Sequence, residues 1–141
     1  MFGKIIRVVD NYIYIENRME KAETNLIGYH LVFSDTSKQL VGEIINISIK
    51  EIEVLLIGEI KDNKFLAGIL KKPSSDCVIR VINKKEVEYL LGSQDYSNKA
   101  NLLIGNSLVY NNYKVTADKN NFFSGHFAIL GNTGSGKSCT M

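Results

Sequence analysis

Up to residue 82 the chain alternates short apolar runs with polar turns, a rhythm that reads as a succession of strands. Residues 4–9 and 12–15 flank Asp10-Asn11, a pair suited to a tight hairpin turn. Residues 18–25 are polar and read as loop, 28–33 as the next strand, and 34–38 as a polar turn. Ile45, Ile47 and Ile49 alternate with Asn46, Ser48 and Lys50, and Ile52, Val54 and Leu56 alternate with Glu51 and Glu53. That period of two predicts half-buried antiparallel sheet, one face inward and one wet. Lys61-Asp62-Asn63-Lys64 is a further hairpin turn, returning into 65–70. Gly42, Gly58 and Gly68 fall inside strand-like stretches, where glycine marks bulges and barrel corners. About six short strands so closely connected predict a small closed β-barrel, which removes exposed edges, with an open sandwich as the alternative.

The period then changes. The segment 72–76, which holds Pro73, is a turn, and 77–82 is one more strand. Asn83 can cap a helix with Glu86 three residues on, and Val87, Leu90 and Leu91 share a helical face before Gly92. The polar stretch 93–100 divides the chain into a barrel with connecting helix, 1–92, and a second unit, 93–141. In that second unit 101–110 and 113–116 flank Asn111-Asn112, again a hairpin signal. Residues 117–125 lead into Phe127-Ala128-Ile129-Leu130, an unbroken apolar run of the kind buried on both faces of a parallel sheet.

That run ends in Gly131-Asn132-Thr133-Gly134-Ser135-Gly136-Lys137-Ser138, which fills every fixed position of the phosphate-binding pattern G-x-x-x-x-G-K-[ST]. Glycines let the backbone turn so that successive N–H groups face phosphate oxygens. A lysine places a compact positive charge on the β- and γ-phosphates, and a hydroxyl helps to hold Mg²⁺; here these are Lys137 and Ser138. The alternative, a glycine-serine surface turn, leaves the preceding apolar run unexplained. The expected site is therefore nucleotide-binding, with ATP and Mg²⁺ as cofactors and Ser138 on the metal. A helix should follow the loop and lend it a positive dipole end, but only Cys139, Thr140 and Met141 remain. The expectation is the front of an α/β ATPase domain, truncated after its first motif, with no catalytic residue of its own and inactive alone.

Composition narrows the classes. Of 141 residues 45% are apolar, enough for a core, and the net charge of +2 gives no general pull toward nucleic acid or membrane. Cys77 and Cys139 are far apart and lack metal-ligand spacing, which fits a reducing compartment. The N-terminus lacks the apolar core of a signal peptide and no run reaches a membrane span, so the expected location is cytoplasmic. Single residues read modestly. His126 is a strand-end residue or a nucleotide sensor, and His30 is structural for want of a second ligand nearby. Tyr12 and Tyr14 could stack on bases, but without basic residues on their face they read as packing. Lys84-Lys85 is a solvated helix end or a contact for an acidic partner, and Cys139 a small helix-packing residue or an oxidisable thiol.

The order of parts, a small all-β barrel, a helix and hairpin with LLIG at 102–105, then HFAILGNTGSGKS at 126–138, resembles the HerA family of the FtsK–HerA class of P-loop ATPases. The barrel resembles the HAS barrel that the family shares with F-type ATP synthase subunits. The resemblance implies a hexamer that hydrolyses ATP at subunit interfaces and translocates duplex DNA, a DNA translocase or helicase of DNA repair or antiviral defence. It implies a barrel that organises the ring and docks a partner, a NurA-like nuclease or a SIR2-type effector. Lys137 and Ser138 carry over as phosphate and Mg²⁺ contacts, and Gly134, Ser135 and Gly136 as backbone cradle. The family's acidic metal motif, catalytic glutamate and arginine fingers have no counterpart in this sequence. Two other classes stay open: a non-catalytic oligomerisation and docking module, and the front of another P-loop motor of secretion or conjugation type.

Overall fold

Asp10, at a left-handed φ of 51°, reverses β1 (Phe2–Val9) into β2 (Tyr12–Asn17), so the first hairpin forms where its turn residues place it. In the computed structural model, residues 2–19, 26–36, 38–94, 99–125, 128 and 130–135 are described. The structure is mainly β, with 48% of the described residues in strands and 12% in helices, and its principal sheet curls into a half-barrel.

The hub of that sheet is β5 (Glu51–Lys61), its longest strand. Along one edge it pairs β4 (Gln39–Ile47); along the other it pairs β2 with its first half and β6 (Lys64–Ala67) with its second. With β3 (His30–Ser34) and β7 (Val78–Val81) the order is β1-β2-β5-β4-β3-β7, and β6 branches from β5. All pairings are antiparallel. Among the described residues β1 and β7 are not paired, so the expected closure is incomplete. A cleft of about 390 Å³, lined by Phe2, Lys4, Arg18, Cys77 and Val78 among others, separates the two edges.

Register shifts bend the sheet, two in the β1–β2 ladder at Phe2/Ile5 and Ile5/Arg7 and two in the β4–β5 ladder at Val41/Gly42 and Ile44/Asn46. The first β4–β5 shift is at a glycine the pattern singled out: a Cβ on Gly42 would meet Val54 Cγ1 at 2.6 Å. The second β4–β5 shift corrects the period-two reading. The extra residue at Ile45 turns Ile44 into the core, while Ile49 lies at the β4–β5 turn, 88% exposed, and not in a strand. Ser48 Oγ and Glu51 close that turn with hydrogen bonds of 2.9 and 3.0 Å, a local bond that the apolar alternation conceals. At the far end of β5, Asp62 and Asn63 both take positive φ, 51° and 58°, as a two-residue hairpin turn requires.

Inside the curl Ile13, Ile15, Leu31, Phe33, Leu40, Ile44, Ile52, Val54 and Leu56 form the main core. A second cluster lies on the other face: Val32, Val41, Ile82, Val87 and Tyr113. Strand β3 contributes to both, since Leu31, Val32 and Phe33 are all essentially inaccessible. The outer cluster is covered by α1 (Lys84–Leu91) and by the loop of a separate hairpin, β8 (Asn101–Asn106) and β9 (Lys114–Asp118).

The start of α1 follows its sequence cues. Asn83 accepts from the Glu86 N–H at 3.0 Å, and the Glu86 carboxylate accepts from the Asn83 N–H at 2.9 Å. Glu86 does more than cap. Only 7% exposed, it also receives the Arg80 guanidinium through Nη1 at 2.7 Å and Nη2 at 2.5 Å, pinning β7 to the helix. Arg80 holds the Glu86 carboxyl below its ordinary value, against the opposing effect of burial. A depressed carboxyl contributes stability that is present above its unfolded pKa and lost as pH falls through the folded one. Glu86→Gln is therefore expected to cost about 2 kcal/mol at pH 7 and to flatten the stability loss below about pH 4.5, read by urea unfolding at pH 7 and pH 3.

The hairpin departs from expectation. Instead of a two-residue turn at Asn111-Asn112, β8 ends at Asn106 and a seven-residue loop runs from 107 to 113. Internal bonds shape it: the Ser107 Oγ accepts from the Val109 and Tyr110 N–H groups, and Ser107 N–H donates to Tyr113 O at 2.8 Å. After β9, Asp118 caps a short helix, α2 (Lys119–Ser124), accepting from the Asn121 N–H at 2.9 Å; the pattern did not reveal this helix.

Candidate functional site

The phosphate-loop motif sits beyond α2 and Gly125, which ends that helix in an extended conformation. Of the predicted strand, Phe127 and Ile129 lie outside the described residues. Ala128 and Leu130 are exposed and outside any strand, Leu130 at 90%. The expected burial on both faces is thus not seen at these two positions. No strand among the described residues pairs with Ala128 or Leu130.

Five of the eight motif residues are described, and all are exposed. They form a turn in which the Ser135 N–H donates to Asn132 O at 3.1 Å. Gly134 takes φ 82°, the left-handed region that glycine enters without cost. Open space surrounds it: a Cβ there would meet no atom within 4 Å. This much fits a polyphosphate, which needs a left-handed glycine turn and room beside exposed backbone. Gly136, Lys137 and Ser138 lie outside the described residues, as do His126 and Cys139.

Among the described residues, no group of three His, Cys, Asp or Glu side chains could hold a metal ion. No helix among them is long and apolar enough to cross a membrane. Cys77 is a free, half-buried thiol beside the β1–β7 cleft, and burial raises its pKa, with Asp35 adding to the effect. Lys84 and Lys85 are exposed in the first turn of α1.

On β2, Tyr12 is exposed and Tyr14 is not bare. The Arg7 guanidinium lies 3.6 Å over the Tyr14 ring, a basic neighbour that period-two reasoning within β2 could not supply because it comes from β1. Glu51 neutralises it with a two-pronged pair at 2.9 and 3.0 Å, which raises the Arg7 pKa further. The Tyr14 hydroxyl donates to Glu53 at 2.8 Å, and this bond raises its pKa. Ring, cation and both carboxylates are therefore occupied with one another, an arrangement that holds β1, β2 and β5 in register and offers no bare platform for bases.

His30 has a partner that the sequence hides. The Tyr110 hydroxyl, from the loop between β8 and β9, accepts from the His30 backbone N–H at 3.1 Å and lies 2.7 Å from Nδ1. The two rings stack, with centroids 5.9 Å apart and 22° between planes. Desolvation pushes the Tyr110 phenol up to about 12 and His30 below its ordinary value.

A half-barrel that leads by a helix and hairpin into a glycine-rich phosphate loop defines a nucleotide-binding class. Residues 102–141 match the family described as Helicase HerA, central domain. The match begins on β8 and covers the hairpin, α2 and the entire phosphate-loop motif, and relates this part of the chain to the HerA-type ATPases. It implies nucleotide binding of the P-loop kind there. No curated protein matches the chain.

Proposed function

We propose that this chain is the N-terminal part of a HerA-like hexameric, ATP-dependent DNA translocase. The observation that carries the reading is the match over 102–141, with every fixed position of Gly131–Ser138 filled inside it. Bound ATP supplies the phosphoanhydride to be cleaved, and Mg²⁺ spreads the charge of its phosphate oxygens. In this reading the Gly134, Ser135 and Gly136 N–H groups cradle the phosphates, Lys137 neutralises them, and the Ser138 hydroxyl holds the metal. The half-barrel serves ring assembly and receives a nuclease or a defence effector. Whether the service is DNA repair or antiviral defence depends on that partner.

The test is ATP hydrolysis by the complete gene product, with and without duplex DNA. Hydrolysis stimulated by DNA and reduced at least 100-fold by Lys137→Ala, an effect of the size expected for removing a charge that stabilises the transition state, supports the translocase. Nucleotide-free Lys137→Ala should keep the wild-type melting temperature. Hydrolysis indifferent to DNA would favour another P-loop motor; none at all would leave the chain a docking and oligomerisation module.

A further inference from the structure

The loop from 107 to 113, within the family-matched region, reaches back to the half-barrel by aromatic contacts. Tyr110 meets Tyr29 edge-on at 5.3 Å, stacks on His30, and touches Tyr113 at 6.4 Å. Tyr113 is 5% exposed among Val32, Val41, Ile82 and Val87, and its hydroxyl donates to Gly92 O at 2.7 Å. Val109 fills the space above Gly28, where a Cβ would meet Cγ2 at 2.9 Å. The tip is thus seated through Val109, Tyr110 and Tyr113, and the Tyr110 contact with His30 can titrate.

We propose that the Tyr110–His30 contact is a proton-operated clasp that fastens the tip of the β8–β9 hairpin, and through it the mount of the phosphate loop, to the half-barrel. The hydrogen bonds assign the closed state. The Tyr110 oxygen accepts from the His30 N–H, and in the tautomer whose ring proton is on Nε2 the Tyr110 hydroxyl donates its own proton to Nδ1. His30 is then neutral with its proton on Nε2. Protonation of Nδ1 reverses that bond, leaves the Tyr110 proton without an acceptor among the described residues and places a cation among half-buried rings, so it weakens the clasp.

The charged groups around His30 bear on this balance. Glu43 stands directly across on β4, and its carboxylate favours the imidazolium. Lys84, which lines the same cleft as Tyr29 and Tyr110, opposes it. The Arg80–Glu86 pair on β7 and α1 is internally neutralised. The Tyr110 phenol, pushed up to about 12 by burial, stays neutral in this range. Burial pushes the His30 pKa below its ordinary value. The sign follows: the clasp is fully stable above the unfolded histidine value of about 6.5 and weakens as pH falls through it toward the lower, clasped value.

Amide hydrogen exchange of the 141-residue chain between pH 5 and pH 7.5, corrected for intrinsic rates, reads the clasp directly. The His30, Tyr110 and Tyr113 amides should lose protection as pH falls, about tenfold for each unit by which the clasped pKa lies below 6.5, while the core amides of Val32, Val41 and Val54 keep theirs. His30→Gln should abolish the pH dependence, and Tyr110→Phe should leave His30 and the tip poorly protected throughout. Tip protection that ignores pH in the wild type, or that falls equally in His30→Gln, overturns the proposal. So does a His30 ring proton titrating at or above 6.5 in the folded wild type, a measurement that stands even if a variant fails to fold. These readouts are independent of nucleotide, and only the link to the phosphate loop's work rests on the translocase reading.

Discussion

Gly92→Ala is expected to lower the melting temperature by about 10 °C or more, although it adds a single methyl group at the surface end of a helix. Gly92 has φ 90° and ψ 163°, a conformation essentially reserved for glycine. A Cβ there would also press into the Thr116 carbonyl and hydroxyl on β9. Neither conflict relieves the other. Rotating the backbone toward negative φ breaks the Gly92 N–H bond to Glu88 O, at 3.1 Å, and moves the carbonyl that accepts from the Tyr113 hydroxyl. Backbone strain of about 1–3 kcal/mol adds to a comparable loss where α1 meets the hairpin, roughly 3–5 kcal/mol together. Differential scanning calorimetry on wild type and variant measures it. A melting point within about 3 °C of wild type would mean that the junction relaxes freely.

Phe33→Ala should be of similar size for a different reason. Phe33 is 1% exposed at the centre of the main core, on the strand that both hydrophobic clusters share. Truncating a fully buried phenylalanine costs about 3–5 kcal/mol through lost transfer energy and the cavity left behind. Its ring also rests against Gly42, where the sheet bends, so neighbouring strands cannot close the gap without undoing a bulge. Domains are stable by only about 5–15 kcal/mol, so the loss takes a large share. Ile49→Ala, at an 88% exposed turn position, is the control and should stay within about 0.5 kcal/mol of wild type by urea unfolding. If the two variants unfold at the same denaturant concentration, the core assignment is wrong.

What the sequence discloses here is what short-range chemistry decides. Asn83 and Glu86 mark the helix start because the capping box closes over three residues, and Asp62-Asn63 marks its turn because asparagine and aspartate tolerate positive φ. The phosphate-binding pattern is read from spacing alone, and among its described residues Gly134 takes a left-handed φ. Alternation misplaces Ile49 because one inserted residue at Ile45 shifts the period, and a bulge depends on the strand opposite. Tyr110 is read as strand and His30 as solitary because their contact spans eighty positions. Arg80 gives no sign of its pairing with Glu86, since the capping box already explains that glutamate. The apolar run before the phosphate loop shows the same limit from the other side: Leu130 has strand character but no edge among the described residues to express it.

The central place of β5 also sets an order for synthesis. The β1–β2 hairpin leaves the ribosome before the edge on which it will dock, and a lone two-stranded hairpin is marginal in water. It must wait until Glu51–Leu55 emerge to take up β2, by which time β3 and β4 are already present. Completing β5 then admits β6 as soon as the Asp62-Asn63 turn has been made. Only with β7 does β3 gain its second neighbour, so the nascent chain carries an open β3 edge for the time it takes to add residues 35–81. At about 5–20 residues per second that interval is a few seconds, and a slow ribosome between β3 and β7 is the point at which this chain is most exposed to pairing with the wrong strand.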